Sequence, residues 1–189
     1  MKIKCITNKV SSLPQVIKEN YSISYENFFV SEGEEYTVYA ISIHLGYVWY
    51  YLGVKYLDYP DFFPATLFEV TDNRLSRYWV IGVYEINGYL LPKLAFPKWI
   101  DQMDFYSNLV DGEDMEVNIF KKYKNLMELE FPNPLVTESA QIGDDQWLMC
   151  PDCIDAWECN NSLDALVRCP MCQKLFNNPR YKNKWPHVD

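Results

Sequence analysis

Two copies of Cys-Pro-x-Cys, Cys150-Pro151-Asp152-Cys153 and Cys169-Pro170-Met171-Cys172, stand fifteen residues apart toward the C-terminal end of this 189-residue chain. That spacing falls within the range of four-cysteine zinc sites. Each Cys-x-x-Cys lets a tight turn aim two sulfurs at one ion, and proline after the first cysteine pre-sets φ for such a turn. Two such turns facing each other supply the four thiolates of a tetrahedral structural site and leave no coordination position open. A redox pair would need only one Cys-x-x-Cys, and paired disulfides would suit a small secreted domain. We therefore expect structural zinc on Cys150, Cys153, Cys169 and Cys172. Cys159 and His187 are the possible substitutes in the shell, and Cys5 reads as a small buried hydrophobe.

The rest of the chain divides by period. Strand character marks Lys2–Thr7, Glu34–Ile43, Tyr47–Leu52, Ala65–Val70 and Tyr78–Tyr84, while Asn87-Gly88 is a strong hairpin signal. Asn8–Asn20 reads mostly as loop, and the two prolines of Asp58–Pro64 interrupt the strand pattern. From Pro97 the spacing becomes helical through Val110, and a second helix is expected from Met115 to Glu130. Val136–Asp145 has the polar composition of a linker, and Ala165–Arg168 reads as a strand feeding the second cysteine pair. The expected class is α+β: an antiparallel β-sheet or partly open small barrel, two central helices, and a four-cysteine zinc ribbon. The corresponding regions are a β-rich domain over 1–95, a helical segment over 96–135 packing on it, and the zinc-ribbon module over 146–189.

Charge narrows the function. The chain carries −9, and residues 1–149 hold all of that excess, with 12 Lys+Arg against 21 Asp+Glu. Such a body repels phosphate backbones and attracts a basic protein partner, so nucleic acid is the weaker expectation. The N-terminus lacks the apolar run of a signal peptide, and no stretch reaches the ~20 apolar residues of a membrane span. A cytoplasmic setting, which keeps thiols reduced, is expected. No His-Glu-x-x-His, Gly-x-Ser-x-Gly or phosphate-cradling glycine loop occurs, so no catalytic residue is assigned and an enzyme is not expected. His44 reads as a solvent-facing strand residue.

Two acidic clusters are candidate partner-binding sites, the first Glu32, Glu34 and Glu35 about Gly33, the second Asp111, Glu113, Asp114 and Glu116 about Gly112. Their plainer reading is as solvated turns. The aromatic run Tyr47–Phe63 is expected to put one face into the core, with core alone preferred over an outward face of Tyr and Trp serving as interaction anchors. In the tail, Lys174, Arg180, Lys182 and Lys184 alternate with Phe176, Tyr181 and Trp185, a pattern able to grip single-stranded nucleic acid. Packing plus contacts to the acidic body is the preferred account.

Lys4-Cys5-Ile6-Thr7-Asn8 with Leu13-Pro14, Glu35–Ile41, Trp49-Tyr50, and Leu67–Val70 through Ser76–Trp79 form a pattern similar to a group of small uncharacterised bacterial proteins. The Cys-Pro-x-Cys pair with Asn177-Asn178-Pro179-Arg180-Tyr181 looks like a bacterial zinc-ribbon module. Proteins of this sort resemble the immunity partners of contact-dependent and other polymorphic toxin systems. The resemblance implies stoichiometric neutralisation of a cognate toxin. The alternatives are a zinc-ribbon nucleic-acid or translation accessory factor, and an enzyme without a legible motif.

Overall fold

The computed structural model describes residues 1–20, 25–44, 46–55, 57–86, 88–144 and 146–182. The chain forms two compact units, Met1–Asn125 and Leu126–Asp189. The first is built on an antiparallel sheet: β1 (Lys2–Cys5), β2 (Glu35–His44), β3 (Tyr47–Gly53), β4 (Pro60–Pro64), β5 (Phe68–Asp72), β6 (Val80–Ile86) and β7 (Tyr89–Ala95). Its helices are α1 (Gln15–Asn20), α2 (Pro97–Asp101), α3 (Phe105–Val110) and α4 (Asp114–Leu129), the last running across the boundary into the second unit.

The sheet forks at β2. Along one edge β2 pairs with β3, and β3 with β4. Along the other edge its first half pairs with β1, which leads to β5, and its second half pairs with β7, which leads to β6. The sheet is open, not a closed barrel.

Strand alternation sends Leu52 and Tyr50 into a core with Ile3, Ile17, Val38 and Leu67. It sends Tyr51 the other way, its ring 5.1 Å from that of Trp99 on α2. On that face Phe96, Trp99, Phe105, Leu109 and Phe120 are buried, each large side chain contributing about 1.5–3 kcal/mol. The run Trp49-Tyr50-Tyr51-Leu52 is thus core on both faces. Tyr56 lies outside the described residues.

Several local expectations are revised. Asp58–Pro64 does not break the sheet, because Pro60 and Pro64 sit at the two ends of an edge strand, where a missing N–H is tolerated. Ala65–Leu67 is a 3₁₀ turn before β5, not strand. Asn8–Asn20 contains a 3₁₀ turn at Val10–Ser12 and the helix α1, whose Ile17 is wholly buried. The helix from Pro97 breaks at Gln102, which adopts φ −117° and ψ 109°. That break lets Trp99 and Phe105 both converge on Phe96. Of the hairpin pair, Asn87 lies outside the described residues, and Gly88 supplies the turn with φ +78°.

In the second unit β8 (Gln141–Ile142), β9 (Trp147–Met149) and β10 (Ala156–Glu158) form a three-stranded sheet, and β11 (Leu166–Arg168) pairs with β12 (Leu175–Asn177). The segment read as a linker is therefore structured. Asn177 is the reason: its N–H donates to Glu138 O at 2.7 Å and its side-chain amide to Val136 O at 2.8 Å. Asp145 lies outside the described residues. No helix among the described residues is long and apolar enough to cross a membrane.

Candidate metal centre

The two cysteine pairs occupy matching turns. Cys150 follows β9 and Cys169 follows β11, and each turn closes onto the next strand of its hairpin. In the first, Ile154 N–H donates to Cys150 O at 3.0 Å and Cys150 N–H to Asp155 O at 2.8 Å. In the second, Gln173 N–H donates to Cys169 O and Cys169 N–H to Lys174 O, both at 3.0 Å. Even the left-handed residue recurs, Ile154 at φ 60° and Gln173 at φ 62°. One backbone solution is used twice.

The turns bring four sulfurs together, all within 4.8 Å of one another. Two of the pairs run between turns, Cys150 Sγ to Cys172 Sγ at 3.7 Å and Cys153 Sγ to Cys169 Sγ at 3.6 Å. A tetrahedron with metal–sulfur bonds of about 2.3 Å has edges of about 3.8 Å, close to these two separations. Those separations are far beyond a disulfide bond, and all four cysteines are free. Cys150 and Cys169 are buried in a small core with Ala140, Leu148, Val167 and Phe176, while Cys153 and Cys172 face outward. The cluster could hold a metal ion.

The sulfurs compete for protons. At Cys153 the N–H of Asp155 pulls the thiol pKa down, but desolvation and the sulfurs of Cys150, Cys169 and Cys172 outweigh it and push the value up to about 12. At Cys169 desolvation pushes upward, but the N–H groups of Cys172 and Met171 and the Cys172 and Cys153 sulfurs outweigh it and lower the value to about 7. A cation bound by four thiolates must displace protons, so its affinity falls as pH falls.

Lys174 ties the two turns together. Its ammonium lies 2.8 Å from the Asp152 carboxylate in the first turn and 2.7 Å from Glu138, and these partners raise its pKa. Arg180 donates to Asp144 O and Trp147 O. The side chains of Lys174 and Arg180 thus contact their own unit and that of Lys182 is exposed, while Lys184, Trp185 and His187 lie outside the described residues. Cys159 is half-buried against the small core and is not in the four-sulfur cluster. Sequence reasoning missed Asn178, whose buried amide donates to Asn161 O and Asp164 O and pins the loop between β10 and β11. The only signal was an asparagine before Pro179.

The acidic clusters are placed unequally. Glu32, Glu34 and Glu35 are exposed around Gly33, whose φ of +85° makes the turn. Glu32 accepts the Asn8 N–H, and Glu34 accepts the Tyr36 hydroxyl. Asp111, Glu113 and Asp114 are exposed, but Glu116 is buried at 2% and accepts from Gln102 Nε2 at 2.9 Å. Glu116 therefore leaves the candidate partner surface. Its place, with Asp114, in the first turn of α4 gives it a helix-stabilising role. His44 is half-buried beside an exposed Ile43, not simply solvent-facing, because it lines a cleft. No protein-family model, curated protein or solved structure matches this chain.

Proposed function

We propose that this chain is a cytoplasmic binding protein that neutralises a basic toxin by stoichiometric contact, as an immunity protein does, with zinc holding its C-terminal unit together. The observation that carries the zinc half is the set of four sulfurs gathered within 4.8 Å of one another, two of the pairs at 3.6 and 3.7 Å. Thiolate donors in this arrangement suit zinc above harder divalent ions, and the site is closed to catalysis. The binding half is supported by charge. With the boundary after Asn125 the acidic excess is shared, −4 on the first unit from 12 Lys+Arg and 16 Asp+Glu, and −5 on the second from 5 and 10. Exposed Glu32, Glu34, Glu35, Asp111, Glu113 and Asp114 offer carboxylates to a basic partner. The nucleic-acid reading would need a free basic tail, and Lys174 and Arg180 are engaged within their own unit.

The test joins capture to rescue. The tagged chain, purified from its native cell in moderate salt, should retain one small basic protein in equal amount. Expression of that protein alone should arrest growth, and co-expression of this chain should restore it. Glu34→Lys with Glu35→Lys should then weaken the pair by roughly tenfold or more. A captured protein that is harmless, or growth arrest that the chain does not relieve, overturns the reading. Purified protein should also carry one zinc per chain, and a metal-free preparation with freely titrating thiols would refute that part.

A further inference from the structure

Lys93 is a charged residue inside an apolar stretch, Leu90-Leu91-Pro92-Lys93-Leu94-Ala95. It lies on β7, paired with Ser42 on β2, which in turn faces Trp49 on β3. The row Trp49–Ser42–Lys93 therefore crosses three strands and forms the floor of a cleft of about 290 Å³. Tyr51, Phe62 and Tyr84 add aromatic walls, and Met103, 76% exposed, stands on the side open to solvent.

The ammonium of Lys93 is held among rings alone. Its Nζ lies 5.4 Å from the Tyr51 ring centre, 5.2 Å from that of Tyr84 and 5.6 Å from that of Trp99. No carboxylate or hydrogen-bond acceptor among the described residues pairs with it, although an ammonium carries three donors. Cation–π contacts offset only part of the lost hydration. A second donor close by is in the same condition, since the buried indole N–H of Trp99 has no hydrogen-bond partner. Ser42 and Tyr51 bring hydroxyl groups to the same lining. Among the described residues no Asp or Glu lines the cleft, in a chain with 26 of them. Lys93 is thus the one formal charge among the described lining residues, and Ser42, His44 and the hydroxyls of Tyr51 and Tyr84 are the other polar groups there.

We propose that this cleft binds a small planar aromatic monocarboxylate, its carboxylate on Lys93 and its ring between the aromatic walls. One ammonium neutralises one negative charge. No arginine fork or glycine-rich loop stands among the lining residues to receive a phosphate dianion. The volume, at the lower end of the ~300–1,000 Å³ typical of ligand pockets, suits a single ring and its acid group.

Sodium benzoate is the probe, titrated into the full chain and followed by tryptophan fluorescence, with benzyl alcohol as its neutral counterpart. Benzoate should saturate in the millimolar range or below, and benzyl alcohol should bind at least roughly tenfold more weakly. Lys93→Met should lose roughly tenfold or more in benzoate affinity, and Lys93→Arg should keep more of it than Lys93→Met. The proposal is overturned if benzoate does not saturate, if benzyl alcohol binds equally well, or if inorganic phosphate displaces benzoate at equal concentration. Should Lys93→Met fail to fold, the comparison of the ligands on the unaltered chain decides the matter.

Discussion

Ile154 occupies a backbone conformation that suits glycine, with φ 60° and a side chain 75% exposed. A β-branched residue there bears steric strain and gains little packing in return. Ile154→Gly should therefore stabilise the second unit by about 1 kcal/mol, read as a raised melting temperature of the metal-loaded protein. Lys93 ties stability to pH. Desolvation lowers its pKa from 10.5 to about 8, so below pH 8 the folded chain bears the cost of a half-buried charge. Between pH 8 and 10.5 the unfolded chain still holds the proton that the folded chain has released, so this residue's contribution to stability rises with pH. Lys93→Met should be more stable than the parent at pH 7 by about 1–2 kcal/mol, allowing for solvent screening. Paired denaturant curves from pH 7 to beyond 10 should show that advantage shrinking; a constant difference would mean that Lys93 is not desolvated.

Among the elements, β6 and α2 meet at a glycine. A Cβ built on Gly82 would clash with Ile100 Cγ2, so the helix approaches only because that atom is missing. Gly82→Ala should destabilise the first unit by about 1–3 kcal/mol. Combining it with Ile100→Ala should cost less than the sum of the two single changes, because the substitutions share one contact. The sequence announced the strands themselves well: Glu35–His44 and Tyr47–Gly53 are dense in β-branched and aromatic residues. It announced their partners poorly. Pro60 and Pro64 hid β4 because proline signals interruption without saying that a strand lies at an edge. Gln102 gave no sign of the helix break, which depends on the rings of Trp99 and Phe105 reaching Phe96. The metal cluster was legible because its spacing is local to two turns, whereas the Lys93 cleft joins residues of five strands and shows only as one charge in an apolar run.

For the whole molecule, the two units rest on different supports. The second has few buried apolar residues around its four sulfurs, so an ion there would contribute much of its folding energy, about 10–16 kcal/mol of apparent binding in small thiolate sites. Cys150→Ser, or a strong chelator, should release metal and collapse the protection of amides in β9 to β12. The sheet of the first unit, with its own core about Ile3, Val38 and Leu52, should keep its protection. Hydrogen exchange read by mass spectrometry separates the two. Loss of protection throughout the chain would show that the units fold as one.

The fork at β2 also sets an order of assembly. β2, β3 and β4 follow one another along the chain, so their pairing closes short loops at low entropic cost. β1 must wait, for Ile3 lies between Tyr36 and Val70, and its place exists only once both have been laid down. The β6–β7 hairpin joins the far half of β2 by pairing Leu94 and Lys93 with Ile41 and Ser42. A chain emerging residue by residue would therefore build its meander first and recruit its opening strand late, so that the earliest residues made are among the last to find their neighbours.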